Sequence, residues 1–407
     1  MIKKRLDVVD ALRGFSLAGI VVIHMLENYL GAPPPSTGLE GATVWPTDGI
    51  INGIATFFIR GKFFALFSFL FGLSFYIQMK RAADKGINFG GRFFWRLILL
   101  LLIGVVHHMF YRGDILTIYA ITGLFLIPFY KVSNKWLLGI SALLFLGLGR
   151  FLIFRIFGGD PLISTMSISP NDPATQAYFD LLKEGNIIEV FKSNTLQGHL
   201  IKLDFQYGVF GRGYLTFGFF LTGLYCGKIG FFERFDSLKK QLKKALIWSI
   251  AGLVLTLILT AIVFAFATDF GKQPQPDFNS LITMIGLTLY DVSNVFFTVL
   301  IIIVFLYAFM KIKGKRFLLR FAPYGRMALT NYLLQSVIGT ALLYGWGLGY
   351  IGEIPNTLML GISLLIIVVQ LYTSKWWLNR YAQGPLEWLW RSLTHFKRFP
   401  FIKKKVS

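Results

Sequence analysis

The sequence predicts an all-α fold: a polytopic transmembrane helical bundle of about ten spans, with its N- and C-termini cytoplasmic. Three observations predict it. Hydrophobic residues fill 55% of the 407 positions and charged residues only 15%, with a mean hydropathy of +0.61. A soluble domain of this length needs more polar surface to cover itself. The apolar residues also gather into runs of about 20, the length of a membrane span. Lys and Arg lie between those runs, and on alternate sides of them.

Met1-Ile2-Lys3-Lys4-Arg5 leads into an apolar run interrupted by Asp7, Asp10 and Arg13. No small-residue cleavage site closes that run, so the first helix is expected to stay as a span. Spans are expected near 8–28, 56–78, 94–111, 115–130, 136–155, 207–227, 245–267, 288–310, 327–346 and 357–378. The second is entered through Arg60 and Lys62, and the fourth is short. Segments 1–7, 79–96, 131–135, 228–244, 311–326 and 375–407 carry about thirty of the 41 basic residues, the mark of cytoplasmic loops. The intervening loops 29–48, 112–114, 156–203, 268–287 and 347–356 carry about five.

The longest outer loop, 156–203, holds Pro161, Pro170 and Pro173. An amphipathic stretch then runs through Leu181, Leu182, Ile187, Ile188 and Val190, as a short helix over the outer face or a lid would. Asp269 to Asn279, with Pro274 and Pro276, is expected to be a rigid connector. Residues 375–407 form a basic cytoplasmic tail whose Lys403-Lys404-Lys405 suits anionic lipid. Nothing divides the chain, so residues 1–407 are expected to be a single transmembrane domain in the lipid bilayer.

The formal net charge of +21 does not indicate nucleic acid, because the basic residues flank apolar runs rather than covering a polar domain. A single cysteine, Cys226, excludes an internal disulfide and a cysteine-built metal centre, and five scattered histidines show no metal site. Gly347-x-Gly349-x-x-Gly352 spells a dinucleotide fingerprint but follows a membrane span, not a strand, and is expected to be only a flexible outer loop. Gly223-x-x-x-Gly227 fits close packing between membrane helices.

Charges inside spans are costly, so each must be paired, face a cavity or serve a function. On the first span Arg13 and His24 are eleven residues apart. That places them about 20° off one face and roughly 16 Å apart along the axis. Asp10 can pair with Arg13 one turn away, although headgroup anchoring accounts for these two equally well. Glu27, three residues after His24, is placed to orient the imidazole and raise its basicity. His107, His108, Arg112 and Asp114 end the third span at the same depth. Arg60, Lys62, Arg212 and Asp291 enter other spans from that side, so a polar cavity open to the outside is expected. A second layer nearer the cytoplasm holds Arg13, Arg92, Arg96 and Arg326, a set able to bind an anionic donor. Asn331 and Gln335, one turn apart, can hydrogen-bond within the bundle.

The residues also carry a resemblance. RLDVVDALRGFSLAGIVVIH at the start, FFALFSFLFGLSF (63–75), GDILTIYAITG (113–123), GRMALTNYLLQS (325–336) and GPLEWLWRSLT (384–394) resemble the YeiB-type family. These are bacterial membrane proteins catalogued as domain of unknown function 418. The resemblance covers nearly the whole chain and implies a multi-pass protein of the bacterial cell membrane, often described as a possible transporter. Asp10-x-x-Arg13, with His24 fourteen residues after the Asp, is also similar to membrane acyltransferases that modify extracytoplasmic sugars. Many YeiB-type sequences have Asn at that position, so His24 makes this chain look closer to the acyltransferases.

Acyl transfer from a cytoplasmic donor, acyl-CoA as co-substrate, to a small-molecule or glycan acceptor outside is therefore one expectation, with no cofactor bound permanently. In it His24 is base or acyl carrier, and Glu27 orients it. Asp10, Arg13, Arg92 and Arg96 hold the donor. Arg60, His107, His108, Arg112, Asp114, Arg212 and Asp291 line the acceptor side. A secondary transporter of a small solute would use the same intramembrane charges, and a non-catalytic scaffold or sensor is the third class. The oligomeric state stays open.

Overall fold

Every regular element that the computed structural model contains over its described residues, 6–31, 34, 44–163, 172–272 and 276–403, is a helix. Of the features expected above, Met1 to Arg5, Pro170, Pro274, Lys404 and Lys405 lie outside these residues. In chain order the helices begin with α1 (Asp7–Leu26), α2 (Asp48–Phe58), α3 (Phe63–Ala83), α4 (Gly90–Phe110), α5 (Leu116–Phe129), α6 (Asn134–Phe145) and α7 (Leu148–Phe157). Next come α8 (Pro173–Glu184), α9 (Ile187–Ser193), α10 (His199–Tyr207), α11 (Arg212–Lys228) and α12 (Phe231–Arg234). The last seven are α13 (Lys239–Ala267), α14 (Leu281–Met310), α15 (Ile312–Leu318), α16 (Phe321–Arg326), α17 (Ala328–Leu343), α18 (Asn356–Arg380) and α19 (Pro385–His395).

Every expected apolar run is helical, but the runs differ in reach. Among the described residues, six segments are long and apolar enough to cross a membrane: α1, the α2–α3 pair, α4, α13, α14 and α18. Two bent pairs, α6 with α7 and α11 with α12, raise the number to eight. The helices α5 and α17 are apolar but have only 14 and 16 residues. At 1.5 Å per residue these span about 21 and 24 Å, short of the ~30 Å hydrocarbon core. The protein is thus an all-helical membrane protein.

The breaks have local causes. Between α2 and α3, Gly61 turns with a positive φ of 81°, and Arg60 and Lys62 flank it. Between α6 and α7, Gly147 has φ 82° and the helix bends by 49°. A side chain there would meet the Thr288 hydroxyl as well as backbone strain.

The first helix is the axis of the fold. Fifteen of its residues are buried, with α3, α16, α17 and α18 around it. Apolar side chains gain little from leaving lipid, so close backbone approach does much of the joining. A methyl group at Gly14 would overlap the Phe321 carbonyl, and one at Gly325 the Asp10 carbonyl. Gly72 on α3 meets the Phe220 carbonyl of α11, while Gly223 meets the Phe69 carbonyl in return. Gly227 lies against the Tyr76 ring, so the Gly223–Gly227 spacing serves this crossing. The long helix α13 lies outermost; only 11% of its apolar window is buried, against α14.

The amphipathic stretch in 156–203 is two helices rather than one. Asp172 caps α8 by accepting from the Ala174 N–H. A capping box of Asn186 and Glu189 then starts α9, because Gly185 has ended α8. A π-helical turn, Asn194–Gly198, links α9 to α10. The segment caps one end of the bundle: Asn194 donates to the Met109 carbonyl of α4, and the Leu182 carbonyl accepts from the Gly345 N–H beyond α17. The Gly347–Gly352 loop, expected to be flexible, is tied down: Leu348 and Ile351 donate to Ala341 and Leu343, and Gly352 donates to Asn28 Oδ1. The C-terminal stretch expected to be a tail folds back instead. The Glu387 carboxylate on α19 accepts from the N–H groups of Leu329 and Thr330, and so caps α17.

Candidate functional site

One end of the bundle carries the start of α1, the end of α3, the start of α4, α16 and α19. Asp10 and Arg13, one helical turn apart, form an ion pair of 3.0 Å. Arg13 also donates to Ser74 Oγ at 2.9 Å, which ties α1 to α3. On α4 the Arg96 guanidinium lies 3.5 Å from the centre of the Trp390 ring, and the Trp390 indole N–H donates to the Arg96 carbonyl. Cation–π contact and hydrogen bond together fix α19 across the mouth of the bundle.

These residues enclose a vestibule of about 610 Å³, within the usual range of small-molecule sites. Its wall holds Arg13, Arg81, Lys85, Arg92, Arg96, Arg326 and Arg391 against two carboxylates, Asp10 and Glu387. His395, at the end of α19, is held below its ordinary pKa by burial first and then by Arg92, Arg391 and Arg96. The expected set of Asp10, Arg13, Arg92 and Arg96, with Arg326, is thus gathered around one space. The vestibule is strongly cationic and open, so it can hold a polyanion.

A second cavity of about 260 Å³ continues inward from the same Arg13, Ser74, Gln78, Arg96 and Arg326. Its wall changes character at once: Phe67, Phe71, Phe75, Phe93, Leu97 and Leu100 make it an apolar tunnel. The far end is closed by Ile115, Leu116, Tyr119 and Tyr332. From α1, Arg13 and Ile20 line the tunnel. His24 lies one turn beyond Ile20, with its ring 6.4 Å from that of Tyr332.

Beyond Tyr332 two histidines share an aromatic surround. His24 is 5.3 Å from Tyr29 and 5.0 Å from Tyr111, ring centre to ring centre. His107 is 4.9 Å from Tyr332 and 6.2 Å from Tyr111. His24 Nδ1 and His107 Nε2 are buried without a hydrogen-bond partner. His107 Nδ1 is 2.7 Å from Asp114 Oδ1. Asp114 also accepts from the Leu116 and Thr117 N–H groups, from Thr117 Oγ1 and from Lys202 Nζ at 3.3 Å. Burial alone would raise its carboxyl, but Lys202 and the His107 hydrogen bond overcome that and hold it well below the usual carboxylate range.

His108 points elsewhere, because adjacent helical residues diverge by about 100°. Its ring meets His199 at 3.7 Å and its Nδ1 lies 3.4 Å from Lys202 Nζ, beneath the α8–α10 cap. Arg112 lies 3.3 Å over the Tyr178 ring.

The single outer layer expected from sequence is therefore divided. Glu27 does not orient His24: it stands at the C-cap, where α1 ends, and its carboxylate accepts from Arg60 Nε at 2.8 Å. The Arg212 guanidinium lies over the Phe64 ring at 5.0 Å. Asp291, expected to line the acceptor side with the histidines, is held elsewhere. It pairs with Arg150 of α7, which also donates to the Val209 and Phe210 carbonyls and to Thr288. Asn331 and Gln335 are buried among the helices: Asn331 donates to Ser374 Oγ, and Gln335 Oε1 accepts from the Tyr324 hydroxyl. Among the described residues, no three His, Cys, Asp or Glu side chains are grouped to hold a metal.

Sequence reasoning missed Lys202, His199, Tyr111, Tyr332 and Trp390. His199 and Lys202 are one turn apart, a signal that could have been found had residues 187–207 been read as helix. The tyrosines sit among many aromatic residues and carry no distinguishing spacing.

A family profile described as "Protein of unknown function (DUF418)" matches residues 226–397. A second, described as "Heparan-alpha-glucosaminide N-acetyltransferase, catalytic", matches residues 5–182. The second match contains Asp10, Arg13, His24, His107 and Asp114; the first contains Arg326, Tyr332 and Trp390. "Uncharacterized protein YxaH" of Bacillus subtilis (strain 168) is 30% identical, over 98% of this chain and 97% of its own. "Uncharacterized protein YeiB" of Escherichia coli (strain K12) is 27% identical, over 97% of each chain. A 39.9 kDa protein encoded in the amylase 3′ region of Bacillus acidopullulyticus is 26% identical, over 99% of this chain.

Proposed function

The chain belongs to the YeiB-type (DUF418) family of membrane proteins, and from that premise we propose that it is a membrane-embedded acyltransferase. The observation that carries this reading is a cationic vestibule sharing Arg13, Ser74, Gln78, Arg96 and Arg326 with an apolar cavity that ends on Tyr332, whose ring lies 6.4 Å from His24 and 4.9 Å from His107. A nucleotide-linked acyl thioester such as acyl-CoA has matching parts: a polyanionic head for Arg13, Arg92, Arg96 and Arg391, and a slender arm for the tunnel. The likeness of residues 5–182 to a domain named for N-acetyl transfer to a glucosaminide supports the reaction class.

In this reading the chain crosses the plasma membrane of a bacterium ten times, with both ends in the cytoplasm. Two of the crossings are the short helices α5 and α17. The positive-inside distribution supports this orientation, in which the vestibule faces the cytoplasm and its basic residues suit anionic lipid. The acceptor, a hydroxyl or amine of a small molecule or glycan, approaches from the histidine end. His24 serves the transfer as base or as carrier of the acyl group.

Purified protein given radiolabelled acetyl-CoA is expected to transfer the acyl group or release it to water, and His24→Ala to abolish this. Wild-type turnover in His24→Ala would remove His24 from the mechanism. Solute flux into proteoliposomes without any acyl transfer would point to a transporter instead.

A further inference from the structure

We infer that His107, backed by Asp114, is the general base that activates the acceptor. The inference rests on the acyl-transfer reading and assigns within it a role that was open to His24. It starts from the two ring nitrogens of His107. An ionised carboxylate only accepts, so Asp114 Oδ1 at 2.7 Å fixes Nδ1 as the nitrogen that carries hydrogen. That leaves Nε2 with a free lone pair, and it is buried without a hydrogen-bond partner on a side chain only 2% exposed. His24, His108 and His199 also carry a buried nitrogen without a partner, but of these histidines only His107 has its other nitrogen held by a carboxylate.

Asp114 is itself immobilised. It is fully buried, and the Leu116 and Thr117 N–H groups, Thr117 Oγ1 and Lys202 all donate to it. These contacts cap α5, which explains an aspartate at this position without reference to His107. They do not explain why a buried imidazole is oriented by that aspartate while its other nitrogen is left empty. Nor do they explain why its ring rests on Tyr332, the residue that closes the tunnel. His24 lacks such backing: its Nδ1 has no partner, and Glu27 is engaged by Arg60.

The step balances without another reactant. The acceptor O–H gives its proton to His107 Nε2 as its oxygen bonds to the acyl carbon. The bond from that carbon to the leaving atom then breaks; this atom is the donor sulfur, or the His24 nitrogen if His24 carries the acyl group. The leaving atom takes up the proton that His107 received. Asp114 stabilises the imidazolium in between and keeps its own charge.

The test uses the full-length protein in detergent, with radiolabelled acetyl-CoA as donor and water as acceptor. His107→Gln is expected to lower kcat at least a hundredfold with KM for acetyl-CoA unchanged. His107→Gly is expected to regain activity on addition of imidazole, which a purely structural histidine would not allow. Asp114→Asn should lower kcat by a smaller factor, again without changing KM. Unchanged kcat in His107→Gln would overturn the base assignment while leaving acyl transfer intact. So would a loss that imidazole does not restore in a folded His107→Gly protein. Absence of hydrolysis in the unmodified protein would overturn both readings together.

Discussion

Equal spacing along a helix can give unequal outcomes. Asp10 and Arg13, three apart, form the ion pair that the sequence foretells, because both sit inside the regular part of α1. His24 and Glu27 are also three apart and do not meet. By Glu27 the helix has ended at φ −90° and ψ 15°, and an arginine 33 residues on takes the carboxylate. The basic residues were legible because charge near a span end has few purposes. The role of His107 was not, since it depends on a tautomer fixed by a folded contact. Two outcomes follow for the vestibule. Arg92→Gln removes one cation from the wall and should raise KM for acyl-CoA about tenfold, the effect of losing one charged hydrogen bond of roughly 1.5 kcal/mol, while sparing kcat. Steady-state kinetics will read this. His395 has its pKa depressed by burial and by Arg92, Arg391 and Arg96. A bound polyanion offsets those arginines and raises that pKa, so binding takes up a proton and tightens as pH falls through the His395 range. Calorimetry of coenzyme A binding in buffers of different ionisation enthalpy should show uptake, and His395→Gln should abolish it.

At the level of elements, apolar runs and basic flanks located the helices well, because a membrane leaves few alternatives to helix. What they did not reveal were the bends. Gly147 is one glycine among 41, and the Thr288 side chain of α14 that leaves no room for a Cβ there comes from 141 residues further along the chain. The return of α19 was equally hidden, for Glu387 reads as an ordinary surface acid until it caps α17. The α3–α11 crossing gives the clearest energetic statement. Gly72→Ala pushes a methyl group into the Phe220 carbonyl of the neighbouring helix. Overpacking of this kind costs about 1–3 kcal/mol, so its thermal midpoint in detergent should fall. Gly91→Ala, where a side chain would meet nothing, should leave the midpoint unchanged or raise it slightly.

Across the whole molecule, charge asymmetry orients the proposed topology. In a Cys226→Ala background, cysteines placed at Lys85 or Lys397 should react with an impermeant maleimide only after permeabilisation. Cysteines at Lys183 or Lys272 should react in intact cells. The reverse pattern would invert the protein and with it the side from which the donor arrives. The buried pair of Arg150 and Asp291 has a consequence for how the chain is made. Its members lie 141 positions apart, so during synthesis the arginine is delivered to the bilayer long before the aspartate exists. A lone arginine carried within a span costs up to ~2.5–3.5 kcal/mol on insertion, the value at the helix centre. The bent α6–α7 segment should therefore remain loosely held by the translocation machinery until α14 emerges. Nascent chains arrested before Asp291 would leave this segment crosslinked to the translocon, and chains arrested beyond α14 would release it into lipid.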